Sequence, residues 1–208
     1  MLSFNVIPTG PLMVNCTIIY NDKNCIIVDP GGSIEKIIGF LEEKGVVPEV
    51  LINTHGHFDH IGAVFELKNR FRIPFYMSRK DEFLLRQASL HASMFGLPPV
   101  VSPDVDFDLS ENVRIENTVA NVLIIETPGH TPGGISFYVK ELNLVITGDT
   151  LFAGSVGRTD FPYSDFNELK ESILKLYRLN DNTIVIPGHG EFTTIGDEKR
   201  HNHFVRVV

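Results

Sequence analysis

The hydrophobic and polar positions along the chain follow two alternating periods, which predicts strands interleaved with helices. Runs rich in β-branched and aromatic residues predict strands, and apolar residues at a helical spacing predict helices. The predicted strands cover 2–7, 13–20, 25–29, 49–53, 74–77, 113–116, 119–126, 134–140, 143–148 and 183–186. The predicted helices cover 34–44, 60–71, 79–95, 165–178 and 196–203. Ser33 and Gly45 suit the N-cap and C-cap of the first helix.

The order of these elements predicts an α/β fold. Strands and helices alternate through both halves of the chain, with no linker between the halves. This pattern favours a layered α/β/α architecture. We therefore expect a single domain over residues 1–208.

Composition and charge argue against some classes of binding partner. The chain has 208 residues, is 43% hydrophobic, and carries a formal net charge of −8. An acidic surface repels phosphate backbones and anionic lipids, so we expect no nucleic acid and no membrane among its partners. Its apolar runs are too short to span a bilayer, and the first residues lack the basic and apolar regions of a signal peptide. We therefore expect a cytoplasmic protein.

The two cysteines, Cys16 and Cys25, are expected to stay reduced. They lie in two strands that read as a hairpin, which places Tyr20 opposite Cys25 and Cys16 opposite Asp29. The two sulfurs would then lie roughly 13 Å apart at about 3.3 Å per strand residue, which is too far for a disulfide.

Four apolar runs, at 50–52, 123–125, 144–146 and 184–186, end in turns that carry residues able to bind a metal. Those residues are His55, His57, Asp59, His60, His130, Asp149 and His189. The carboxyl ends of buried strands meet at one edge of a sheet, so we expect these side chains to converge. Imidazole and carboxylate ligands suit zinc and similar divalent metals. Seven ligands are too many for one tetrahedral ion and suit two ions about 3.5–4 Å apart with a carboxylate between them.

These residues and their order resemble the metallo-β-lactamase fold hydrolases. The resemblance covers nearly the whole chain, from Asp29-Pro30-Gly31 onward. It implies an αββα sandwich with a metal site at the edge of the two sheets. It also implies two divalent ions, zinc above all, with iron or manganese as alternatives. One ion would take His55, His57 and His130, the other Asp59, His60 and His189, with Asp149 between them and Asp29 behind the ligands.

Two later segments narrow the resemblance to particular branches of that superfamily. Residues 157–162 (GRTDFP) and 193–199 (TTIGDEK) resemble the glyoxalase II-like and persulfide dioxygenase-like branches. The resemblance makes Arg158 a candidate contact for an anionic thiol substrate, because a guanidinium binds carboxylates bidentately. The alternative for Arg158 is a salt bridge to Asp160 or another nearby acid. Full-length glyoxalase II continues into a C-terminal helical region, whereas this chain is similar in size to the short glyoxalase II-like hydrolases.

The resemblance implies metal-dependent hydrolysis of a small-molecule acyl thioester such as a hydroxyacylglutathione. A bound metal lowers the pKa of water to about 7, and the resulting hydroxide would attack the thioester carbonyl. Asp59 would orient this nucleophile, and Asp149 would hold the two ions together. Three alternatives stay open. They are an iron persulfide dioxygenase using His55, His130 and Asp149, a lactone or other ester hydrolase, and a metal-holding domain without activity.

Other histidines and aromatic residues are expected to lie outside the chemistry. His91 falls within the predicted helix 79–95 and is expected to be a packing or surface residue, with a place in the lining of the pocket as the lesser alternative. His201 and His203 are expected to belong to a solvated tail. Phe95, Phe152 and Phe161 are expected in the core or the wall of a pocket.

Overall fold

Two sheets form the centre of the computed structural model, which describes residues 1–110 and 112–206. The first sheet contains β1 (Ser3–Thr9), β2 (Val14–Tyr20), β3 (Asn24–Val28), β4 (Val47–Ile52), β5 (Phe75–Met77) and β6 (Phe107–Asp108), in that spatial order. The first three strands pair antiparallel, and β3 to β6 pair parallel.

The second sheet is built from the other half of the chain. Its strands are β7 (Val122–Glu126), β8 (Ile135–Val139), β9 (Leu144–Gly148), β12 (Ile184–Pro187) and β13 (Thr193–Thr194). Their spatial order is β13-β12-β9-β8-β7, and β9 pairs parallel with β12. A separate two-stranded hairpin consists of β10 (Leu151–Phe152) and β11 (Ser155–Val156).

Within residues 1–110 and 112–206, five α-helices cover the outer faces of the two sheets. They are α1 (Ile34–Lys44), α2 (Val64–Phe71), α3 (Glu82–Met94), α4 (Phe166–Leu176) and α5 (Ile195–His201). Short 3₁₀ helices occupy Arg79–Asp81 and Lys140–Leu142. In the described part of the chain, no helix combines the length and the apolar composition needed to cross a bilayer.

The alternation of side chains along the strands separates the hydrophobic core into layers. In β3, Cys25 and Ile27 face the cluster that α1 and α2 cover, whereas Ile26 and Val28 face the cluster between the two sheets. Successive residues of a strand point to opposite faces, so a strand covered on both sides is apolar throughout. A third cluster packs the outer face of the second sheet against α4 and α5. The layers form the αββα sandwich that the family resemblance implies.

The structure corrects three local predictions. Residues 113–116 form no strand, although Ile115 is buried between the sheets, and the edge of the first sheet is β6 instead. The helix predicted from residue 60 begins at Val64, because the preceding residues turn toward the sheet edge, with the His60 amide bonded to the His57 carbonyl. Ser33 occupies the N-cap position of α1 but makes no cap bond, and its hydroxyl accepts from the Gly10 amide.

The predicted pairing of β2 with β3 is confirmed. Tyr20 lies opposite Cys25 and Thr17 lies opposite Val28. Both cysteines are buried and free. Burial raises the pKa of Cys16, and it raises the pKa of Cys25 to about 12. The two thiols are therefore protonated core residues.

Candidate metal centre

The seven candidate ligands lie at one edge of the sandwich, in the loops that leave β4, β7, β9 and β12. Backbone and side-chain bonds from Asn15, on β2, hold the two sheets together at this edge. The Asn15 amide donates to the Gly188 carbonyl at 2.8 Å, and its side chain donates to the carbonyls of Pro187 and Gly190, each at 3.0 Å. The loop of His189 is thereby fixed against the first sheet.

Three imidazoles form the first ligand cluster, which consists of His55, His57 and His130. The Nδ1 atom of His57 lies 3.0 Å from Nε2 of His55 and 3.0 Å from Nε2 of His130. The remaining ring nitrogens bond outward, to the Thr54 hydroxyl at 3.0 Å, the Tyr163 hydroxyl at 2.9 Å and the Arg158 carbonyl at 2.8 Å. Such outer bonds fix the orientation of each ring and leave the inner nitrogens free to bind a metal.

The second cluster consists of Asp59, His60 and His189. The Oδ2 atom of Asp59 lies 3.3 Å from Nε2 of His189 and 3.9 Å from Nε2 of His60. The outer nitrogen of His189 donates to the Leu12 carbonyl at 2.9 Å. The outer nitrogen of His60 lies 3.0 Å from Oδ2 of Asp29.

Asp149 lies between the two clusters. Its Oδ2 atom is 3.6 Å from Nε2 of His130, and its Oδ1 atom is 3.5 Å from Nε2 of His60 and 3.8 Å from Nε2 of His189. Each carboxylate oxygen therefore faces a different cluster. A carboxylate in this position is suited to bridge two cations.

Asp29 holds the second cluster from behind. Its carboxylate accepts from the Thr54 amide at 2.7 Å and the Thr54 hydroxyl at 2.6 Å, in addition to facing His60. Its backbone φ is +49°, a conformation that aspartate tolerates better than most residues. The structure thus places Asp29 behind the ligands, where the sequence suggests it.

Two buried polar atoms that lack a hydrogen-bond partner indicate whether the candidate ligands suit a metal ion. Among the described residues, three buried side-chain atoms lack a hydrogen-bond partner, and two of them, Nε2 of His60 and Oδ1 of Asp149, belong to the candidate ligand set, whereas the third is Oδ1 of Asn53. Leaving a buried polar atom unpaired costs about 1–3 kcal/mol, so such atoms are rare unless another group satisfies them. A divalent cation between these atoms would satisfy both. The donor set therefore fits divalent metal ions.

The charges of the site favour cations as well. Burial lowers the pKa of His55 and brings that of His57 to about 3, so both rings are neutral, which is the form that binds metals. Burial also acts to lower the pKa of His60, but the charges of Asp29, Asp59 and Asp149 outweigh it and raise the pKa well above its usual value. The carboxylates thus draw positive charge into the site.

A cleft of about 860 Å³ opens over both clusters. One wall is aromatic, because Phe161 and Tyr163 stack with centroids 5.2 Å apart and Phe83 meets Tyr163 edge to face. Phe58 and Phe95, whose centroids are 5.5 Å apart, also line the cleft. Aromatic walls of this kind suit the apolar part of a small molecule.

Arg158 lines the cleft and is also paired with Asp160. Its Nε and second guanidinium nitrogen each donate to the carboxylate at 2.6 Å, and the guanidinium lies 4.4 Å from the centre of the Phe161 ring. The hydrogen bond from Arg158 lowers the pKa of Asp160 to about 2. The structure thus shows the salt bridge to Asp160, whereas contact with an anionic substrate stays a prediction, since an anion would have to compete with Asp160 for the guanidinium.

Several residues of the cleft are not predicted by the sequence patterns. His91 lines the cleft, whereas its place in the helix predicts a packing or surface residue, and Gln87 lies on the same helix one turn earlier. Tyr163 is the residue whose hydroxyl contacts His57. Its position directly after the GRTDFP segment is the one indication in the sequence. His201 and His203 are exposed, and they join none of the ligand clusters found in the described chain.

The fold and the ligand set together define a class of protein. Residues 9–189 match the model of the Metallo-beta-lactamase superfamily, and the chain belongs to that superfamily. It is a metallo-hydrolase by this membership, and its candidate ligand clusters are consistent with that class.

Individual relatives match almost the entire chain. The hydroxyacylglutathione hydrolase GloC of Haemophilus influenzae is 43% identical over 209 residues, covering 98% of each chain. The crystal structure of the BLEG-1 B3 metallo-beta-lactamase is 38% identical, with a TM-score of 0.91, and covers 98% of this chain and 99% of its own. The di-iron-bound form of TTHA1623 is 35% identical, with a TM-score of 0.88, and covers 97% of this chain and 100% of its own.

Proposed function

We propose that the protein hydrolyses a small acyl thioester of the hydroxyacylglutathione type, using two divalent metal ions. The observation that carries the proposal is the pair of ligand clusters joined by Asp149 on the floor of the aromatic cleft. The similarity to GloC over nearly the full length supports the thioester substrate. Zinc is the proposed metal, and the di-iron form of TTHA1623 is the reason to test iron beside it.

Divalent ions held by the two clusters would lower the pKa of a water molecule and would polarise the carbonyl oxygen of the substrate. Side chains of the cleft would orient the water and accept its proton. Asp59 lines the cleft and can accept a hydrogen bond from the attacking water. This hydrogen bond would orient the water, and the Asp59 carboxylate would take the proton that the water loses. A thiol has a pKa of about 8.5, so a thiolate leaves without help from a strong acid.

The cleft has room for a substrate of this class. Its volume of about 860 Å³ falls within the range of roughly 300–1,000 Å³ that small-molecule sites occupy. The rings of Phe161 and Phe95 would pack against the apolar part of the substrate. Arg158, which lines the cleft, would bind a carboxylate of the substrate in competition with Asp160.

The test is the loss of thioester absorbance with S-lactoylglutathione, using protein loaded separately with zinc, iron and manganese. A kcat/KM at or above about 10⁴ M⁻¹s⁻¹ is expected, because that is the lower range for enzymes on their own substrates. Asp149→Asn should abolish turnover, whereas His201→Ala, on the exposed end of α5, should retain it. Absence of turnover in protein with confirmed metal would contradict the proposal. Oxygen consumption by the iron form with glutathione persulfide would replace it with the dioxygenase alternative.

A second candidate function is hydrolysis of a strained cyclic amide. The similarity to the BLEG-1 B3 metallo-beta-lactamase over 98% of the chain favours it. An amine is a poorer leaving group than a thiolate, so this reaction requires protonation of the departing nitrogen. A chromogenic cephalosporin, assayed beside the thioester and a lactone, ranks the three substrate classes by kcat/KM.

A further inference from the structure

Asp81 occupies the N-cap position of α3 but does not cap it. Aspartate at this position usually accepts a hydrogen bond from the first amides of the helix, which stabilises the helix by about 1 kcal/mol. The side chain of Asp81 makes no such bond, and the residue is completely buried. Its carboxylate turns instead toward the metal centre.

The carboxylate of Asp81 joins the two loops that carry the three-imidazole cluster. Its Oδ2 atom accepts from the Gly56 amide at 3.1 Å and from the Thr131 hydroxyl at 2.7 Å, and its Oδ1 atom accepts from the Gly133 amide at 2.7 Å. Gly56 lies between the first two histidines of the cluster, and Thr131 follows the third. One side chain therefore connects loops that are far apart in sequence.

Both loops approach Asp81 too closely to carry a side chain at the contact. A Cβ atom on Gly133 would lie 2.7 Å from the carboxylate carbon of Asp81, and one on Gly56 would lie 2.9 Å from its backbone oxygen. No lysine or arginine pairs with the carboxylate in the parts of the chain that the structure describes. Burial raises the pKa of Asp81, and the bonds from Thr131, Gly133 and Gly56 offset this in part. The hydrogen bonds thus replace both a cap and a counter-ion.

We propose that Asp81 is a positioning residue, which sets the distance between the loop of His55 and His57 and the loop of His130 before a metal binds. The inference rests on the metal centre of the proposed function and is independent of its substrate. Groups that orient ligands from behind typically change metal affinity by about 10–100-fold when they are removed.

The experiment compares wild type with Asp81→Asn and Asp81→Ala. The asparagine keeps the shape of the side chain, but its amide nitrogen must face at least one of the three donors. Cobalt(II) affinity is measured by competition with a chromophoric chelator, together with the visible spectrum of the bound ion. Hydrogen exchange at the amides of Gly56 and Gly133 is measured in metal-free protein. We expect affinity to fall about 10–100-fold, the spectrum to change, and both amides to exchange faster.

The matched control is Asp165→Asn at the N-cap of α4. The carboxylate of Asp165 does cap its helix, accepting from the amides of Asn167 at 2.6 Å and Glu168 at 3.1 Å. Asparagine caps a helix about as well as aspartate, so this variant should keep the wild-type stability, cobalt affinity and spectrum. Asp81 variants whose affinity and spectrum match those of Asp165→Asn would overturn the proposal, since a merely structural residue would behave in that way.

Thr131→Val provides a milder test if the Asp81 variants do not fold. It removes one donor and leaves the carboxylate in place. Faster exchange at Gly56 with weakened cobalt binding is expected, and unchanged values for both would overturn the proposal. Cobalt binding without thioester turnover in the wild type would contradict only the proposed function, because neither readout involves substrate.

Discussion

Gly188→Ala tests how precisely the carboxylate of Asp149 must be placed between the two clusters. Gly188 lies directly before His189, and a Cβ atom on it would lie 2.1 Å from Oδ1 of Asp149 and 2.8 Å from Cε1 of His60. Its backbone conformation is accessible to alanine, so the substitution tests space alone. An ordinary short carbon–oxygen contact is about 3.3 Å, so the carboxylate must move by about 1.2 Å.

The added methyl group should separate stability from activity. The carboxylate end of Asp149 can rotate away, which limits the cost of overpacking to about 1–3 kcal/mol in the free energy of unfolding. The oxygen that faces the second cluster, however, would leave its place. A misplacement of about 1 Å typically costs about 100-fold in rate. We therefore expect a folded protein with kcat reduced about 100-fold and with weakened binding of the second metal ion.

The assay combines metal content by elemental analysis, thermal unfolding, and steady-state hydrolysis of S-lactoylglutathione. Gly39→Ala is the matched control, because Gly39 lies exposed in α1 and an added methyl group there would meet nothing within 4 Å. That variant should gain about 0.5–1 kcal/mol in stability from helix propensity and keep full activity. Wild-type metal content and kcat in Gly188→Ala would refute the argument that the Asp149 oxygen must lie where it does.

Three further predictions concern residues around the centre and in the core. Asp29→Asn weakens the partner of His60, so we expect zinc affinity to fall about 10–100-fold in chelator competition, and an unchanged affinity would contradict this role. Asp160→Asn releases the guanidinium of Arg158, so KM for an anionic thioester should fall while kcat stays constant; equal KM values would show that the pair does not compete with substrate. Burial raises the pKa of Cys25 to about 12, so the folded chain holds a proton that the unfolded chain loses above its thiol pKa of about 8.5. Stability should therefore fall as pH rises from about 8.5 toward 12, by up to about 1.4 kcal/mol per pH unit. Urea unfolding at pH 8 and pH 10 should show a smaller difference in Cys25→Ala than in wild type, and an equal difference would contradict the buried thiol as the cause.

The fold and the ligand set are the features that sequence patterns predict best here. The layered fold follows from local periodicity, since β3 alternates Cys25 and Ile27 on one face with Ile26 and Val28 on the other. The hydrophobic pattern predicts secondary structure wrongly where a buried segment forms neither a helix nor a strand. Ile115 is apolar and buried, yet its segment forms no strand, because it packs between the sheets without a partner strand.

Contacts between distant segments account for the rest of the site. The hydrogen bond between His57 and Tyr163 joins residues 106 positions apart, and the bond from Thr131 to Asp81 joins residues 50 apart. The hydrophobic periodicity of the chain does not predict such contacts between distant residues. Asp81 is the clearest case, because local rules assign its carboxylate to the start of α3, whereas in the folded protein it accepts hydrogen bonds from Gly56, Thr131 and Gly133 instead.

The sequence by itself determined the chemistry of the centre, since the types and order of the ligands are set by the turns that end four buried strands. Those turns meet at one edge because parallel strands end together. Only the tertiary structure decided the distances within the centre, with Oδ1 of Asp149 3.5 Å from Nε2 of His60 and Oδ2 3.6 Å from Nε2 of His130. It also decided that Arg158 faces both the cleft and Asp160. Distances of a few ångströms between loops depend on the packing of the whole sandwich, and no local stretch of sequence contains them.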